Sequence, residues 1–405
     1  MKILHVNMVL SGGGLEQYLF QTFEELNKKD YKNIYLYGED IGIDSSLPKA
    51  KTFFIQYVTH QHCKNLNAKL KMVQDILDKE NPDLVLIHQV LNSYLIHLLT
   101  RQKPSIRFVH GFKLICPDGR KTLKTNGKIC PFPLSYLCQA RAYLFKCMPR
   151  NPLIGLPLIH SCQRIVKIHQ ARSQIVVSSE FMKKILLYNG FQEKLINVIP
   201  LFTHLPDLET QSVSNNDSFI LSLGRLAPEK GMDFLIRAFS AIKGTVRLVI
   251  LGNGPAMEDL KILAKGLGIS ERVSFPGWVS HNEIEAFFRK CKLVVVPSIS
   301  PESFGLVGIE AMSYQKPVVA FNSGGISEWL KDGKTGFMIS PRNENELAEK
   351  VNFLLERPDV AKQMGKEGRI IAEHRFAPEI HISSLIAFFK KTINTHYHRR
   401  RVISY

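Results

Sequence analysis

Short, almost wholly apolar runs alternate along the chain with longer segments in which apolar residues recur at helical spacing. Strands buried on both faces of a parallel sheet have such sequences, so each run predicts a strand and each longer segment a helix. The first half contains these predicted strands: Lys2–Val9, Asn33–Tyr37, Thr52–Tyr57, Leu84–His88, Ile106–His110, Gln174–Ser178 and Asn197–Leu201. The second half contains these: Phe219–Leu223, Val246–Leu251, Arg272–Phe275, Lys292–Val296, Pro317–Phe321 and Gly336–Ile339.

The two series of strands predict two domains. Between them, Asp207–Ser218 is polar, with few large apolar residues, which is typical of an interdomain linker. Two successive α/β series predict an α/β fold of two Rossmann-like domains facing each other across a cleft. We place these domains at residues 1–200 and 218–377, with the linker at 201–217. The length of 405 residues agrees with this division, at about 150 residues per domain.

The charge is strongly positive and unevenly distributed. Lys and Arg number 53 and Asp and Glu 36, a net charge of +17. The stretch 101–179 has 14 basic residues and a single acid, Asp118. A surface with this charge favours the binding of phosphates, nucleic acid or an anionic membrane. The charge by itself does not distinguish these three kinds of partner. Because no zinc finger, RNA-recognition motif or basic zipper is present, we expect no nucleic-acid partner.

Two apolar stretches bear on targeting and on membrane insertion. Ile3–Leu10 is interrupted by His5 and Asn7, and no small-residue cleavage site follows it. Leu84–Leu99 contains several polar residues and falls short of the roughly 18 to 20 apolar residues that span a bilayer. We therefore expect a cytoplasmic protein without a transmembrane helix.

Seven cysteines without a credible export signal favour reduced thiols. Four of them lie within one short stretch: Cys116, Cys130, Cys138 and Cys147. Four thiolates can complete a tetrahedral zinc site, but no Cys-x-x-Cys pair is present. We therefore predict no metal site, with structural zinc as the alternative.

The motif Gly224–Gly231, GRLAPEKG, follows a predicted strand and precedes a helix that begins near Asp233. Arg225 and Lys230 bring two cations to this loop, and the helix N-terminus adds free amides and a positive dipole. The motif thus predicts a diphosphate site. Its spacing differs from that of a P-loop, and a solvated charged turn is the alternative interpretation.

A second motif, Pro301–Met312, follows the strand at Lys292–Val296. Its two carboxylates, Glu302 in the loop and Glu310 in the following helix, can each accept hydrogen bonds from a vicinal diol, as in a ribose or a hexose. The amides of Phe304, Gly305 and Leu306 can donate to phosphate. The alternative is one carboxylate at a helix N-terminus and one on the surface.

In the first half, Gly12–Gly14 permits close approach of a ligand to a helix N-terminus. It lacks the Gly-x-Gly-x-x-Gly spacing of dinucleotide sites, which disfavours an NAD enzyme. His110 ends a predicted strand, which places an imidazole at the edge of the expected cleft. A structural histidine is the alternative.

Taken together and in this order, the motifs resemble those of glycosyltransferase family 4 (group 1), retaining sugar-nucleotide enzymes of GT-B fold. The resemblance covers Ser218 to about Ile339 and in the first half rests on the glycine loop and His110. It is carried by these segments: Gly224–Gly231, Gly252–Pro255, Phe275–Val279, Glu302–Glu310, Lys316–Ala320 and Gly324–Gly325. It also implies that a C-terminal helix, at about 378–405, crosses back to the first domain.

The resemblance implies a role for each candidate. Arg225 and Lys230 neutralise the departing donor diphosphate without a metal, so no cofactor is required beside a UDP- or GDP-linked sugar. Glu310 holds the ribose, Glu302 contacts the transferred sugar, and His110 lies beside that sugar. The remaining implied donor-site residues are Gly13, Gly14, Gly254, Trp278, Val279, Ser303, Phe304, Gly305 and Leu306, with Trp278 and Val279 framing the nucleobase.

We therefore predict a retaining hexosyltransferase that glycosylates a hydroxyl of a glycan or lipid-linked acceptor. The expected setting is cell-envelope polysaccharide or lipopolysaccharide biosynthesis at the cytosolic face of the inner membrane, which the basic stretch 101–179 would contact. The alternatives are a catalytically inactive sugar-nucleotide-binding scaffold and a nucleic-acid-binding protein.

Overall fold

The computed structural model describes residues 1–10, 13–40, 50–125, 127–208 and 219–403. Contacts divide the chain into two compact units. Unit 1 comprises Met1–Leu201 together with Pro378–Tyr405, and unit 2 comprises Phe202–Ala377. Of the predicted linker, residues 209–217 lie outside the described part. Before that gap, Phe202 is buried and the amide of Thr203 donates to the carbonyl of Phe376 at 3.0 Å, which ties this segment to unit 2.

Unit 1 is a parallel α/β unit. Its strands are β1 (Lys2–Val9), β2 (Lys32–Glu39), β3 (Lys51–Phe54), β4 (Leu84–Ile87), β5 (Ser105–Val109), β6 (Gln174–Val177) and β7 (Ile196–Val198). They form a sheet in the order β3-β2-β1-β4-β5-β6-β7. The helices between them are α1 (Gly14–Asn27), α2 (Leu66–Glu80), α3 (Ser93–Gln102), α4 (Leu137–Phe145), α5 (Pro152–Arg172) and α6 (Glu180–Tyr188).

Unit 2 repeats this architecture. Its strands are β8 (Phe219–Leu223), β9 (Arg247–Leu251), β10 (Val273–Gly277), β11 (Leu293–Val296), β12 (Val318–Phe321) and β13 (Gly336–Ile339), in the order β10-β9-β8-β11-β12-β13. The helices are α7 (Met232–Ser240), α8 (Met257–Gly266), α9 (His281–Lys290), α10 (Leu306–Ser313), α11 (Glu344–Glu356) and α12 (Pro358–Arg375). At the start of α9, Ser280 and Glu283 form the capping box that their spacing predicts.

The predicted α/β fold with two Rossmann-like domains is confirmed. Every predicted strand has an observed counterpart, and the ends differ by up to three residues. Strand β3 ends at Phe54 rather than Tyr57, whose φ of 56° is left-handed. Strand β10 continues through Pro276 to Gly277, because an edge strand tolerates a proline. Among the described residues, no helix is long and apolar enough to cross a membrane.

The last helix, α13 (Pro378–Ile403), belongs to unit 1 although it follows unit 2 in sequence. A histidine near its start links it by hydrogen bonds to the rest of that unit. His381 donates from Nδ1 to the carbonyl of Pro200 at 2.6 Å and accepts at Nε2 from the hydroxyl of Tyr18 on α1 at 2.8 Å. These buried hydrogen bonds join the C-terminal segment to the first helix and to the end of the first sheet.

Candidate active site

The sheet of unit 2 has one point at which the strand order reverses. Strands β8 and β11 are neighbours, yet the chain leaves β8 toward β9 on one side and leaves β11 toward β12 on the other. In open α/β sheets, such a switch point opens a crevice at the carboxyl ends of the strands, where ligands bind. Both strong sequence motifs lie there, since GRLAPEKG follows β8 and the Glu302–Glu310 segment follows β11.

A partly buried ion pair spans this crevice. Lys230, from the loop after β8, donates from Nζ to Oε1 of Glu302, from the loop after β11, at 2.6 Å. The hydroxyl of Ser298 donates to the same oxygen at 2.6 Å. Burial raises the pKa of Glu302, but the charge of Lys230 and the hydrogen bonds from Lys230 and Ser298 outweigh it and hold the pKa below its usual range. The lysine is therefore fixed in place by a carboxylate that stays ionised.

The second cation of the motif is also paired. Arg225 donates to Glu229, four residues further on, and its guanidinium is largely exposed. Because a guanidinium has five N–H donors, Arg225 can keep this partner and still bind an anion. The carbonyl of Glu229 accepts from the amides of Ile299 and Ser300 at 3.1 and 3.2 Å, which joins the loops after β8 and β11. Sequence reasoning missed this role of Glu229 and the contribution of Ser298.

Helix α10 begins at the crevice with unpaired amides. In the described part of the chain, the amides of Phe304, Gly305 and Leu306 donate no hydrogen bond. Gly305 has a φ of 92°, the left-handed conformation that glycine adopts without strain. Free amides at a helix N-terminus attract anions. Ser303, the remaining predicted residue of this segment, directly precedes them.

The buried ring of Trp329 supports this turn from below. Its indole Nε1 donates to the carbonyl of Phe304 at 2.7 Å. Its six-membered ring lies so close to Gly308 that an added Cβ would stand 2.1 Å from it. One side chain thus contacts both ends of the segment Phe304–Gly308 and holds the free amides in position.

Glu310 lies in the second turn of α10. Within the described residues, its carboxyl oxygens make no hydrogen bond or ion pair, although its backbone carbonyl accepts from Ser313. Burial raises the pKa of this carboxyl to about 7. Glu310 is therefore a partly buried acceptor without a partner among the described residues, as a group that binds a ligand hydroxyl would be.

This pKa predicts a pH dependence of stability. The pKa of Glu310 is about 7 in the folded chain, above its ordinary value of 4.5. The protonated carboxyl therefore stabilises the fold fully below about pH 4.5, and this stabilisation is lost as the pH rises through about 7. Glu310→Gln stays neutral at every pH. We therefore expect its free energy of unfolding, relative to that of the parent, to be higher at about pH 8 than at about pH 5. Urea unfolding at both pH values measures the gain, and an unchanged difference would contradict this assignment.

The loops after β9 and β10 extend the same edge of the sheet. The amide of Leu226 donates to the carbonyl of Asn253 at 2.9 Å, and a Cβ at Gly254 would stand 2.2 Å from the carbonyl oxygen of Leu226. Gly254 thus allows its loop to pack directly on the backbone of GRLAPEKG. Further along, the side chain of Trp278, which directly precedes Val279, is 48% exposed.

The glycines of unit 1 lie at the start of α1. Gly12 lies outside the described residues, whereas Gly13 is the N-cap of α1 and Gly14 its first residue. Gly13 has extended backbone, and a Cβ there would meet only Oε2 of Glu16 at an ordinary 3.7 Å. The described residues therefore do not themselves require glycine at position 13. The buried Glu16, which accepts from Asn7 at 3.0 Å, was missed by sequence reasoning.

His110 follows β5 and is partly buried. Its ring stacks on Phe108, with centroids 4.2 Å apart, and its Nε2 lies 2.9 Å from Nδ1 of His88. Burial and the charges of Arg107 and His381 lower the pKa of His110 to about 3. His110 is thus a neutral ring with one hydrogen-bonded nitrogen, and His88 is a partner that sequence reasoning missed.

The four cysteines of the alternative zinc site are free thiols. Within the described ranges, no group of three or more His, Cys, Asp or Glu side chains is arranged to hold a metal ion. Burial raises the pKa of Cys116, and it raises that of Cys147 to about 11. These two thiols therefore stay protonated near neutral pH.

Part of the chain matches a known protein family. Residues 207–370 match the family model described as glycosyl transferases group 1. The sequence resemblance predicted this match, which covers most of unit 2. The matched segment contains the ion pair of Lys230 and Glu302, the free amides of α10 and Glu310.

Individual relatives match over different lengths. An uncharacterised glycosyltransferase of Methanocaldococcus jannaschii is 25% identical over 90% of this chain and 88% of its own length. An alpha-D-kanosaminyltransferase of Streptomyces kanamyceticus is 35% identical over 150 residues, which are 36% of this chain and 39% of that relative. Anabaena Alr3699/HepE, solved in complex with UDP, has a TM-score of 0.74 at 19% identity over 96% of this chain and 100% of its own. This last likeness shows the GT-B fold.

Proposed function

We propose that this protein is a retaining glycosyltransferase that moves a hexose-type sugar from a UDP- or GDP-linked donor to a hydroxyl of a glycan or lipid-linked acceptor. The observation that carries the proposal is the ion pair of Lys230 and Glu302 at the β8–β11 switch point, beside the free amides of α10. The UDP complex of Anabaena Alr3699/HepE, which shares the fold, supports a nucleotide-linked donor.

The proposed chemistry is electrostatic. The bond between the anomeric carbon and the diphosphate breaks, the acceptor hydroxyl oxygen attacks from the same face, and its proton passes to the departing phosphate oxygen. Lys230, Arg225 and the α10 amides stabilise the negative charge that grows on the diphosphate. In this scheme Glu302 orients Lys230 and contacts the sugar, and Glu310 accepts from the ribose. Gly254, Trp278 and Val279 border the nucleoside, and Ser303 flanks the phosphates.

We assign to Gly13, Gly14 and His110 of unit 1 the roles that the family resemblance implies, toward the diphosphate and the sugar. No cofactor takes part in the proposed reaction, because the two cations and the helix amides supply the neutralising charge. We expect turnover to be unchanged by a chelator such as EDTA, measured as nucleotide release after dialysis. A loss of activity that added Mg²⁺ or Mn²⁺ restores would contradict this part of the proposal.

We propose that a surface of unit 1 contacts an anionic membrane at which the acceptor is assembled. The excursion between β5 and β6 carries α4 and α5 and exposes large apolar side chains. We define the α4–α5 surface by these residues: Ile129, Tyr136, Leu137, Tyr143, Leu144, Leu153, Ile154 and Leu156. No acidic residue occurs from Gly119 to Ser179, and Lys146 and Arg150 are exposed within the surface. Apolar side chains among cations suit the interface of an anionic bilayer.

Substitutions on the α4–α5 surface test this membrane contact. Leu144 and Leu153 are 69% and 83% exposed, so Leu144→Asp/Leu153→Asp should leave the fold intact. We expect the double variant to bind anionic vesicles at least about tenfold more weakly, because it loses apolar insertion and gains negative charge. Lys146→Glu/Arg150→Glu should act in the same direction. Vesicle sedimentation measures both.

The matched control for this prediction is Ile262→Asp on α8 of unit 2, where Ile262 is 68% exposed. This control should bind vesicles as the parent does, and nucleotide binding should be unchanged in all variants. Equal binding of parent and variants to anionic vesicles, or a parallel loss of nucleotide affinity, would contradict the assignment of the surface.

An inactive sugar-nucleotide-binding scaffold is the second candidate. The paired lysine, both glutamates and the free amides are all present, which favours catalysis. A turnover assay with purified acceptor fractions separates the two, since the scaffold would bind the nucleotide and release no free UDP or GDP.

A further inference from the structure

Three histidine rings form a hydrogen-bonded chain inside unit 1. His5 Nδ1 lies 3.4 Å from His88 Nε2, and His88 Nδ1 lies 2.9 Å from His110 Nε2. The planes of the first pair differ by 5° and those of the second by 27°. The rings come from the adjacent strands β1, β4 and β5, with His5 within β1 and the other two at the carboxyl ends of their strands.

At the inner end of this row of histidines, the direction of the hydrogen bond is fixed by Asn33. The amide nitrogen of Asn33 donates to the carbonyl of Phe23 at 3.2 Å and to Oδ1 of Asn27 at 2.9 Å. Both hydrogens of that amide are therefore used. Its oxygen faces His5 Nε2 at 3.0 Å and can only accept, so the proton of His5 resides on Nε2.

The polarity then passes from ring to ring, because a neutral imidazole has one N–H and one lone pair. His5 Nδ1 is unprotonated and accepts from Nε2 of His88, and His88 Nδ1 accepts from Nε2 of His110. Burial lowers the pKa of each ring, and the buried cation Arg107 lowers the pKa of His88 and His110 further. All three rings are thus neutral near neutral pH.

The outer end of the hydrogen-bonded row of histidines is His110 Nδ1. Among the described residues this atom makes no hydrogen bond, and the residue is partly exposed. The stack on Phe108 fixes the ring plane. The lone pair of Nδ1 therefore has a fixed position and direction.

We propose that Asn33, His5 and His88 are positioning residues that hold His110 as the Nε2–H tautomer and present its unprotonated Nδ1 to a hydroxyl of the bound sugar. This inference rests on the proposed function for the identity of the ligand. In the proposed geometry the sugar hydroxyl donates and His110 accepts, so a donor sugar that lacks this hydroxyl loses the interaction. A catalytic histidine whose tautomer is held by a further group follows the logic of the serine protease triad.

The tautomer can be measured without any turnover. Protein labelled with ¹⁵N-histidine is observed in long-range ¹H–¹⁵N spectra, and His110→Gln identifies the signals of His110. We expect a protonated Nε2 and an unprotonated Nδ1 for His110 in the parent. The opposite tautomer in the parent would overturn the inference, whether or not the protein transfers a sugar.

Two substitutions at His88 test the relay itself, by which we mean the hydrogen-bonded row of His5, His88 and His110. His88→Leu removes the acceptor of His110 Nε2, and we expect the signals of His110 to shift toward a mixture of tautomers. His88→Gln restores an acceptor oxygen, and the Nε2–H tautomer should return. His97→Leu on α3, where the histidine is exposed, is the matched control and should leave the signals of His110 unchanged. Spectra of His88→Leu that match those of the parent would overturn the relay.

Kinetics provide a second measurement once a donor and an acceptor are in hand. We expect His88→Leu to lower kcat/KM by roughly tenfold or more, with the affinity for free nucleotide and the circular dichroism unchanged. Recovery in His88→Gln would separate positioning from loss of packing. Parent-like kcat/KM in His88→Leu would contradict a role for the relay in the reaction.

Discussion

Replacement of Lys230 by methionine is expected to lower the rate of donor cleavage by roughly 10² to 10³. The lysine is held at the switch point by Glu302 and Ser298, so its charge is already in place when the diphosphate begins to leave. Preorganised charge of this kind requires no rearrangement during the reaction, so it binds the diphosphate of the intact donor and binds it more strongly as negative charge grows in the transition state. Arg225→Ala should act in the same direction, with a smaller effect because its guanidinium is exposed. Release of UDP or GDP from the donor measures both.

Controls for this prediction separate catalysis from folding. Lys230→Met leaves the carboxylate of Glu302 without its ion-pair partner, which destabilises the loop after β11. The double variant Lys230→Met/Glu302→Gln removes both charges and should fold at least as well as the single variant, yet remain inactive. Lys261→Met, which breaks an exposed ion pair with Glu258 on α8, is the matched control and should keep parent activity. An active double variant would refute the role of Lys230.

Trp329→Ala is expected to have the largest effect on stability, a loss of about 3 to 5 kcal/mol in the free energy of unfolding. The ring is fully buried, packs against Gly308 and donates to the carbonyl of Phe304 at 2.7 Å. Its removal leaves a cavity beneath the first turn of α10 and a carbonyl without its donor. The free amides at the start of α10 should then be less ordered, so nucleotide affinity should fall as well. Urea unfolding and calorimetry measure the two effects.

The chain contains two tryptophans, and the second is a matched control. Trp278 is 48% exposed, and Trp278→Ala should change stability by no more than about 0.5 kcal/mol. Trp329→Phe keeps most of the ring volume and loses the hydrogen bond, so it should lie between the parent and Trp329→Ala. Equal stability of Trp329→Ala and Trp278→Ala would contradict this account of α10.

The sheets were predictable because parallel strands buried on both faces leave an unmistakable pattern. Strands β4 and β11, for example, read as uninterrupted apolar runs. The ends were less predictable because they depend on local backbone geometry, as at Tyr57, and on position within the sheet, as at Pro276. In β1, the polar residues His5 and Asn7 are fully buried, which only the hydrogen bonds to Asn33 and Glu16 explain.

Residues of the candidate site were predictable where a motif groups them in sequence. Lys230 and Glu302 were each predicted from their own motif, but their direct pairing depends on the adjacency of β8 and β11. The partners Ser298 and Glu229 carry no signal of their own. His88 and His110 both end predicted strands, and that shared position was the available clue to their contact, since β4 and β5 are neighbours in the sheet.

The most direct test of the account is a thermal-shift panel of UDP- and GDP-linked sugars on the parent and on Lys230→Met. A ligand present at 100 times its dissociation constant stabilises the protein that binds it by about 2.7 kcal/mol. We predict that at least one sugar nucleotide stabilises the parent to this extent and that Lys230→Met loses most of the shift. If no UDP- or GDP-linked sugar stabilises the parent, or if the variant responds as the parent does, the proposed donor site at the β8–β11 switch point is wrong.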